Sequence, residues 1–392
     1  MKVAFIHNSK RLGTGAHHIN DLMAVRLREA GVTVRNFYPR HPLMDAPVHL
    51  RGIANILFFH SLLERQDDIL KCDLIQGTTY TPLAFLSFPI PVVSHFGSTS
   101  WGFLRAVPRT SDLDDGLRSV WVELKSAKVI KELNVKTRKP LRDVAEVEKL
   151  VATQADAVIA TSDIVRDDLL SVGVPADRLH VVHNAIEDYW FDRRNLAVRD
   201  APALVFLGRI GHDVFTMKLK GIDRLIDLYR SFPTLEKRTI GMTLNASLVA
   251  WMDRNVPHHR FEQNVAKLDI PGRLRDLEGS VLFIPSRYEG FSLSLIEGMS
   301  RGLIPVVYPV GIAPEIIVNG QNGFLVKNQD EARASVRFLM HQSPQERRGM
   351  AMHARDTART FNAKRIVGSL LRVYRSVLAD TASGTRRASK KT

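Results

Sequence analysis

The sequence predicts an α/β protein of two successive domains, each a mostly parallel sheet covered by helices on both faces. Three observations carry that expectation. Short apolar runs alternate with amphipathic helical stretches along most of the chain, the pattern of parallel strands joined by crossover helices. The periodicity lapses once, after Asn184, through IEDYWFDRRNLAVRDAP, and then restarts. The length of 392 residues suits two domains of about 100 to 200 residues each.

In order, KVAFIH reads as a strand, Asn8 to Gly15 as a glycine-bearing loop, and INDLMAVRLREAG as a helix. Its apolar positions Ile19, Leu22, Met23, Leu27 and Ala30 recur at helical spacing and Gly31 supplies a stop. VTVRNFY alternates as a strand. CDLIQG, the helix-compatible TPLAFLSF and PVVSHFG form the next unit, and ADAVIATS, DIVRDDLLSVG and RLHVVHNA the last of this half. Beyond the lapse come the strand ALVFLGRI, the helix KGIDRLIDLYRSF, the strands TIGMTL and SVLFIPS, the helix SLSLIEGMSRG and the short strands IPVVYPV and NGFLV. The expected organisation is a first domain over 1–185, a linker over 186–200, a second domain over 201–360, a helix over 361–380 and a basic, acid-free, disordered tail over 381–392.

A hydrophobic fraction of 45% and a charged fraction of 24% exclude disordered and fibrous classes. The single cysteine, Cys72, excludes an internal disulfide framework and a multi-cysteine zinc site, and suits a reducing compartment. The apolar run Val3 to Ile6 is too short for a signal-peptide core of about 7 to 15 residues, and no stretch approaches the roughly 20 apolar residues of a membrane span. A cytoplasmic protein is expected, with any membrane contact peripheral. The net charge of +14 favours anionic partners. Nucleic acid is not expected among them, because no helix-turn-helix or zinc pattern accompanies the basic residues.

Residues 101–142 stand apart, with ten Lys/Arg against five Asp/Glu and with Trp101, Phe103, Leu104, Trp121, Val122 and Leu124 set among the charges. Two readings fit. One is a basic, membrane-facing insertion; the other is a solvated helix with its apolar stripe on the core.

The chemistry concentrates in SRYEGFSLSLIEGMSRGLIPVVYPVGIAPEIIVNGQNGFLV, residues 286–326. Gly290 would let the backbone turn sharply at a strand end. The amides of Phe291, Ser292, Leu293, Ser294 and Leu295, at a helix N-terminus, could then face a diphosphate. Open α/β sheets bind ligands at such strand ends. This stretch resembles the donor-binding region of the glycosyltransferases with two Rossmann-like domains and a central cleft (GT-B), of the retaining family-4 or group 1 type, whose paired glutamates fall on Glu289 and Glu297. The resemblance implies that Glu289 accepts hydrogen bonds from donor-sugar hydroxyls and Glu297 from ribose hydroxyls. Read without it, Glu289 is an acidic residue favoured by the helix macrodipole and Glu297 a surface charge.

In FLGRIGHDVFTMKLKGIDRLI the resemblance places a diphosphate clamp on Arg209 and Lys220, with Lys218 a rival because HDVFTMKL lengthens the usual gap. Two cations suit a leaving diphosphate, on which negative charge grows in the transition state. The likeness extends over roughly residues 1 to 380, including the last helix, which in this family crosses back to the first domain. His95 falls where the family places a histidine near the donor sugar, and Asn184 ends the last strand before the linker. Gly13, Thr14, Gly15 and His17, with Lys10, Arg11 and His18 nearby, are candidates for acceptor or phosphate contact. Two segments depart from the family: NASLVAWMDRN lacks the usual glycine-rich turn, and RFEQNVAKLDIPGRLRDLEG matches poorly, so no base is assigned.

The resemblance implies transfer of a sugar from a nucleotide-sugar to a glycan or lipid-linked acceptor with retained configuration, in cell-envelope polysaccharide or glycolipid synthesis. It implies no cofactor and no metal. Asp112, Asp114 and Asp115 include a DxD spacing, but not at a strand end. With no carboxylate poised as a covalent nucleophile, the mechanism expected is a front-face displacement in which the leaving phosphate takes the acceptor proton. The alternatives are a nucleotide-sugar epimerase, and a basic membrane- or polyanion-binding protein on a catalytically impaired scaffold of the same fold.

Overall fold

The computed structural model describes residues 1–7, 15–39, 58–192 and 194–383, without the side chains of residues 15–18. Its contacts divide the chain into two units. The first takes Met1–Leu104, Thr137–Ala185 and Asn362–Thr392; the second takes Arg105–Lys136 and Ile186–Phe361.

The first unit is built on six parallel strands, β1 (Lys2–Ile6), β2 (Thr33–Phe37), β3 (Leu74–Thr78), β4 (Val92–Phe96), β5 (Ala157–Ala160) and β6 (Leu179–Val181), in the order β2-β1-β3-β4-β5-β6. β4 and β5 are buried along their whole length, as strands covered on both faces must be. Helix α1 (Gly15–Glu29) follows β1, and α2 (Ser100–Ala106), α3 (Asp115–Ser126) and α4 (Lys139–Gln154) follow β4. Helix α5 (Asp163–Ser171) joins β5 to β6. TPLAFLSF, expected as a helix, is reduced to a 3-10 turn over Leu83–Phe85, since Pro89 and Pro91 follow too soon for a longer helix.

The second unit repeats the plan with β7 (Leu204–Arg209), β8 (Lys237–Met242), β9 (His259–Gln263), β10 (Val281–Ile284), β11 (Ile304–Val307) and β12 (Phe324–Leu325), parallel and ordered β12-β11-β10-β7-β8-β9. This is the 3-2-1-4-5-6 order of dinucleotide-binding sheets. The chain direction across the sheet reverses at β7, between β8 and β10, and ligands bind outside the carboxyl ends of strands at such a reversal. Helices α6 (Val214–Leu219), α7 (Ile222–Arg230), α8 (Ala246–Asn255), α9 (Leu293–Ser300), α10 (Gln329–His341) and α11 (Pro344–Arg359) connect and cover the strands. Pro344 at the first helical position and a Ser343/Glu346 capping box start α11.

Two expectations are corrected here. Residues 105–136 follow first-unit strands in sequence yet pack on the second unit, with α3 lying against α7. Leu117, Val120, Trp121 and Leu124 form the buried stripe of α3 and join the core of that unit. Four such side chains at about 1.5 to 3 kcal/mol each give the stripe a strong preference for the core over water. Between the two readings of this segment, the structure places the apolar stripe inward.

The stretch expected as a free linker is also part of the second unit. Trp190 is fully buried, Arg194 pairs with the buried Glu278, and Ala197 donates its amide to the same carboxylate at 2.6 Å. It reads as a linker because an irregular strap held by one tryptophan and one arginine carries no periodicity.

The final helix, α12 (Ala363–Ala382), is capped by Asn362 and belongs to the first unit, where it packs on α1 and its Tyr374 hydroxyl donates to Gln76 of β3. The tail beyond residue 383 lies outside the described residues.

Candidate functional site

The carboxyl ends of β7 and β10 carry the residues that the sequence singles out in the second unit. β10 ends at Ile284 and runs through Pro285–Ser292 into α9. The left-handed residue of this turn is Ser292, at φ +74°, and not Gly290. Ser292 is the N-cap of α9 but makes no side-chain cap, and its buried hydroxyl has no hydrogen-bond partner among the described residues. Of the first-turn amides, Leu295 returns to the Ser292 carbonyl at 3.2 Å. The remaining first-turn donors of a helix have no intrahelical acceptor, which suits them to an anion.

Glu289 sits at the mouth of this turn. One of its oxygens, Oε1, accepts from Lys220 Nζ at 2.6 Å and from Ser286 Oγ at 2.7 Å. The chain around Lys220 is fixed on both sides. Gly221, at φ +66°, starts α7 so close to the β10 turn that a Cβ there would fall 2.0 Å from the Pro285 carbonyl oxygen. On the other side, Arg287 donates its amide to the Leu219 carbonyl at 2.8 Å and its guanidinium to the Lys218 carbonyl at 2.7 Å. The same guanidinium grips the fully buried Asp223 through two bonds of 2.8 and 2.6 Å.

The two candidate lysines have different surroundings. Lys218 is 1% exposed; its ammonium donates to Thr110 Oγ1 at 2.8 Å, to Asn134 Oδ1 at 2.9 Å and to the Pro108 carbonyl at 3.3 Å, and lies 5.6 Å from the Trp121 ring centroid. It therefore anchors the 105–136 segment. Lys220, 26% exposed at its side chain, faces Glu289. Arg209, the last residue of β7, is exposed and makes no hydrogen bond or ion pair among the described residues.

Glu297 lies on α9 and is 8% exposed. Lys267 Nζ stands 3.8 Å from its carboxylate and 2.5 Å from that of Glu187. Burial pushes the Glu297 carboxyl up to about 7; Lys267 opposes that rise and Glu187 adds to it.

The four candidate donor residues and the helix start are thus carried by one unit, while His95 and Asn184 belong to the other. His95 is the penultimate residue of β4, at 9% exposure, and burial lowers its imidazole to about 4, so it is neutral at pH 7. The helix start after β4 is closed internally: Thr99 caps the Gly102 amide at 3.1 Å and Glu148 accepts from the Ser100 amide at 2.7 Å. Asn184 is 7% exposed, with a buried Oδ1 that has no partner among the described residues. Gly15 opens α1. Gly13 and Thr14, with Lys10 and Arg11, lie outside the described residues, as do the side chains of His17 and His18. Asp112 and Asp114 serve as local caps, accepting from the amides of Arg109 at 3.0 Å and Leu117 at 2.9 Å.

Sequence reasoning missed Ser286, Arg287, Asp223, Lys267 and Glu187. Ser286 and Arg287 stand in the motif itself, and their residue types were the available signal. The other three act across 64 to 80 positions of chain, where no local pattern announces them.

Residues 190–357 match the family model described as "Glycosyl transferases group 1", and residues 19–188 match "Glycosyltransferase Family 4". Among curated proteins, the chain is 27% identical over 265 residues to an MMP alpha-(1->4)-mannosyltransferase of Mycolicibacterium hassiacum, covering 63% of this chain and 61% of that one. It spans between 50% and 61% of the length of the curated relatives it matches. Among solved structures, sucrose-phosphate synthase from Thermosynechococcus elongatus aligns with a TM-score of 0.73 at 16% identity, over 96% of this chain and 99% of that one. Anabaena HepE in complex with UDP-glucose aligns with a TM-score of 0.61 at 18% identity, over 96% and 100%. At those identities the likeness speaks to the fold alone.

Proposed function

Because the chain belongs to the group 1 glycosyltransferases, with a family-4 first half and the GT-B fold, we propose that it moves a sugar from a nucleotide-sugar to a glycan or lipid-linked acceptor with retention of configuration. The observation that carries this reading is the Lys220–Glu289 pair beside the open first turn of α9, at the reversal point of the second sheet. In this reading the α9 amides and the Ser292 hydroxyl take the diphosphate, and Arg209 and Lys220 stabilise the charge it gains as the glycosidic bond breaks. Glu289 accepts from the sugar hydroxyls and Glu297 from the ribose hydroxyls. The leaving phosphate takes the acceptor proton, so no protein acid is required. His95, neutral, contributes a hydrogen bond to the sugar, and Asn184 with the loop around Gly13–His17 contributes to the acceptor.

A role in cell-envelope polysaccharide or glycolipid assembly follows from the acceptor class. Peripheral attachment to an anionic membrane is supported by the +14 charge, not by α3, whose apolar stripe is buried. No helix among the described residues is long and apolar enough to cross a membrane.

Thermal unfolding against a panel of nucleoside diphosphates and their sugars, without added metal, tests the reading. A ligand that binds only the native state adds RT ln(1 + [L]/Kd), about 2.7 kcal/mol at one hundred times Kd. We expect one base to raise the midpoint by several degrees in wild type and to have no effect on Glu297→Ala. If no nucleotide moves the wild-type midpoint, the donor-site assignment fails and the basic-scaffold alternative takes its place.

A further inference from the structure

Three charged side chains from separate stretches of the second unit converge beside α9. Lys267 stands on a 3-10 turn, Lys267–Asp269, after β9; Glu187 lies one residue into the unit; Glu297 points from the helix. Their side chains are 22%, 19% and 11% exposed, so solvent screens them only in part. One ammonium thus serves two carboxylates, and it sits 2.5 Å from Glu187 but 3.8 Å from Glu297. Tyr189 is the other titratable group facing them. Burial and the two carboxylates hold its phenol above the ordinary range, which leaves it neutral.

Building on the reading that Glu297 receives the ribose hydroxyls, we propose that Lys267 is a positioning residue that keeps Glu297 ionised for that contact, and that Glu187 competes with Glu297 for the same ammonium. An ionised carboxylate accepts from two vicinal hydroxyls, whereas the protonated acid gives up part of that capacity. With its carboxyl already raised to about 7, Glu297 is poised where a small change in its neighbours alters its charge near neutral pH. The sign follows from linkage. Donor affinity is full above the free-state pKa of Glu297 and falls as pH drops through it, by at most about tenfold per unit.

The test is calorimetric titration of the full chain with UDP-glucose, GDP-mannose and ADP-glucose between pH 5.5 and 9, on wild type, Lys267→Met, Lys267→Arg, Glu187→Gln and Glu297→Ala. The diphosphate diester groups of these ligands do not themselves titrate in that range. Lys267→Met should move the half-affinity pH upward by about one unit or more, weakening binding at least about fivefold at pH 7. Lys267→Arg should restore the wild-type profile. Glu187→Gln, which frees the ammonium for Glu297, should move it downward. A merely structural role for Lys267 would lower affinity evenly across pH and could not produce opposite shifts. Unshifted midpoints in Lys267→Met and Glu187→Gln, with binding abolished in Glu297→Ala, overturn this inference alone. Full binding by Glu297→Ala, or no binding by wild type, overturns the donor-site reading and this inference with it.

Discussion

Lys220→Ala is expected to lower the turnover number for sugar transfer by about 100- to 1,000-fold, the loss that follows removal of one preorganised group facing developing charge. Glu289→Ala should fall by a similar factor, because it removes the proposed sugar contact and the acceptor that aims Lys220. Neither change should unfold the protein. The pair is partly exposed, at 26% and 16%, and such pairs contribute only about 0 to 1 kcal/mol to stability. Initial rates with the nucleotide-sugar identified by thermal shift, alongside far-ultraviolet circular dichroism, separate the two effects. Normal turnover in both variants would end the assignment of this pair to the reaction. Arg209→Ala should behave likewise, and Lys218→Ala should not: its ammonium is buried and holds Thr110 and Asn134.

Arg287→Ala is expected to destabilise the second unit by about 3 to 5 kcal/mol, the cost of leaving one partner of a buried ion pair behind. Asp223 is fully buried and both its oxygens are held by that guanidinium. The loss would also free the Lys218 carbonyl contact that helps fix the backbone leading to Lys220, while the main-chain amide at position 287 still donates to the Leu219 carbonyl. Urea unfolding followed by tryptophan fluorescence reports on this unit, since Trp121, Trp190 and Trp251 lie in it and only Trp101 lies in the other. Replacing the pair together, as Arg287→Met with Asp223→Leu, should recover most of the stability, because apolar side chains of similar volume substitute for buried ion pairs at little cost. A loss below about 1 kcal/mol for Arg287→Ala would mean that water reaches Asp223.

The sequence made the strands legible where burial on both faces writes continuous apolar runs, as at VLFI and IPVV. Glu289 and Glu297 stood out through the family resemblance, since a lone pair of glutamates eight positions apart carries no signal of its own. Polar strands were harder: HRFEQ, which forms β9, carries only one buried residue and offers no apolar run. The missing glycine-rich turn after β8 is explained by side-chain chemistry. Thr243 Oγ1 donates to the Gly211 carbonyl at 2.9 Å and receives the Asn245 amide at 3.1 Å, and Asn245 caps α8, so a hydroxyl and an amide shape the turn. The segment that matched the family poorly holds Lys267. The choice between Lys218 and Lys220 required knowing what Thr110 and Asn134 touch, and no pattern within a few residues of either lysine contains that.

The placement of residues 105–136 has a consequence for the order of synthesis. The chain changes unit after Leu104, Lys136, Ala185 and Phe361, so neither unit is one uninterrupted length of polypeptide. Trp121 leaves the ribosome well before its partner helix at Ile222–Arg230 exists. At about 5 to 20 residues per second, the roughly 100 intervening residues keep an apolar helix face waiting for about 5 to 20 seconds. The nascent chain is therefore most open to chaperone capture, and to aggregation, while the middle third is being translated. Moving α3 to a position after α7 by circular permutation would remove that interval.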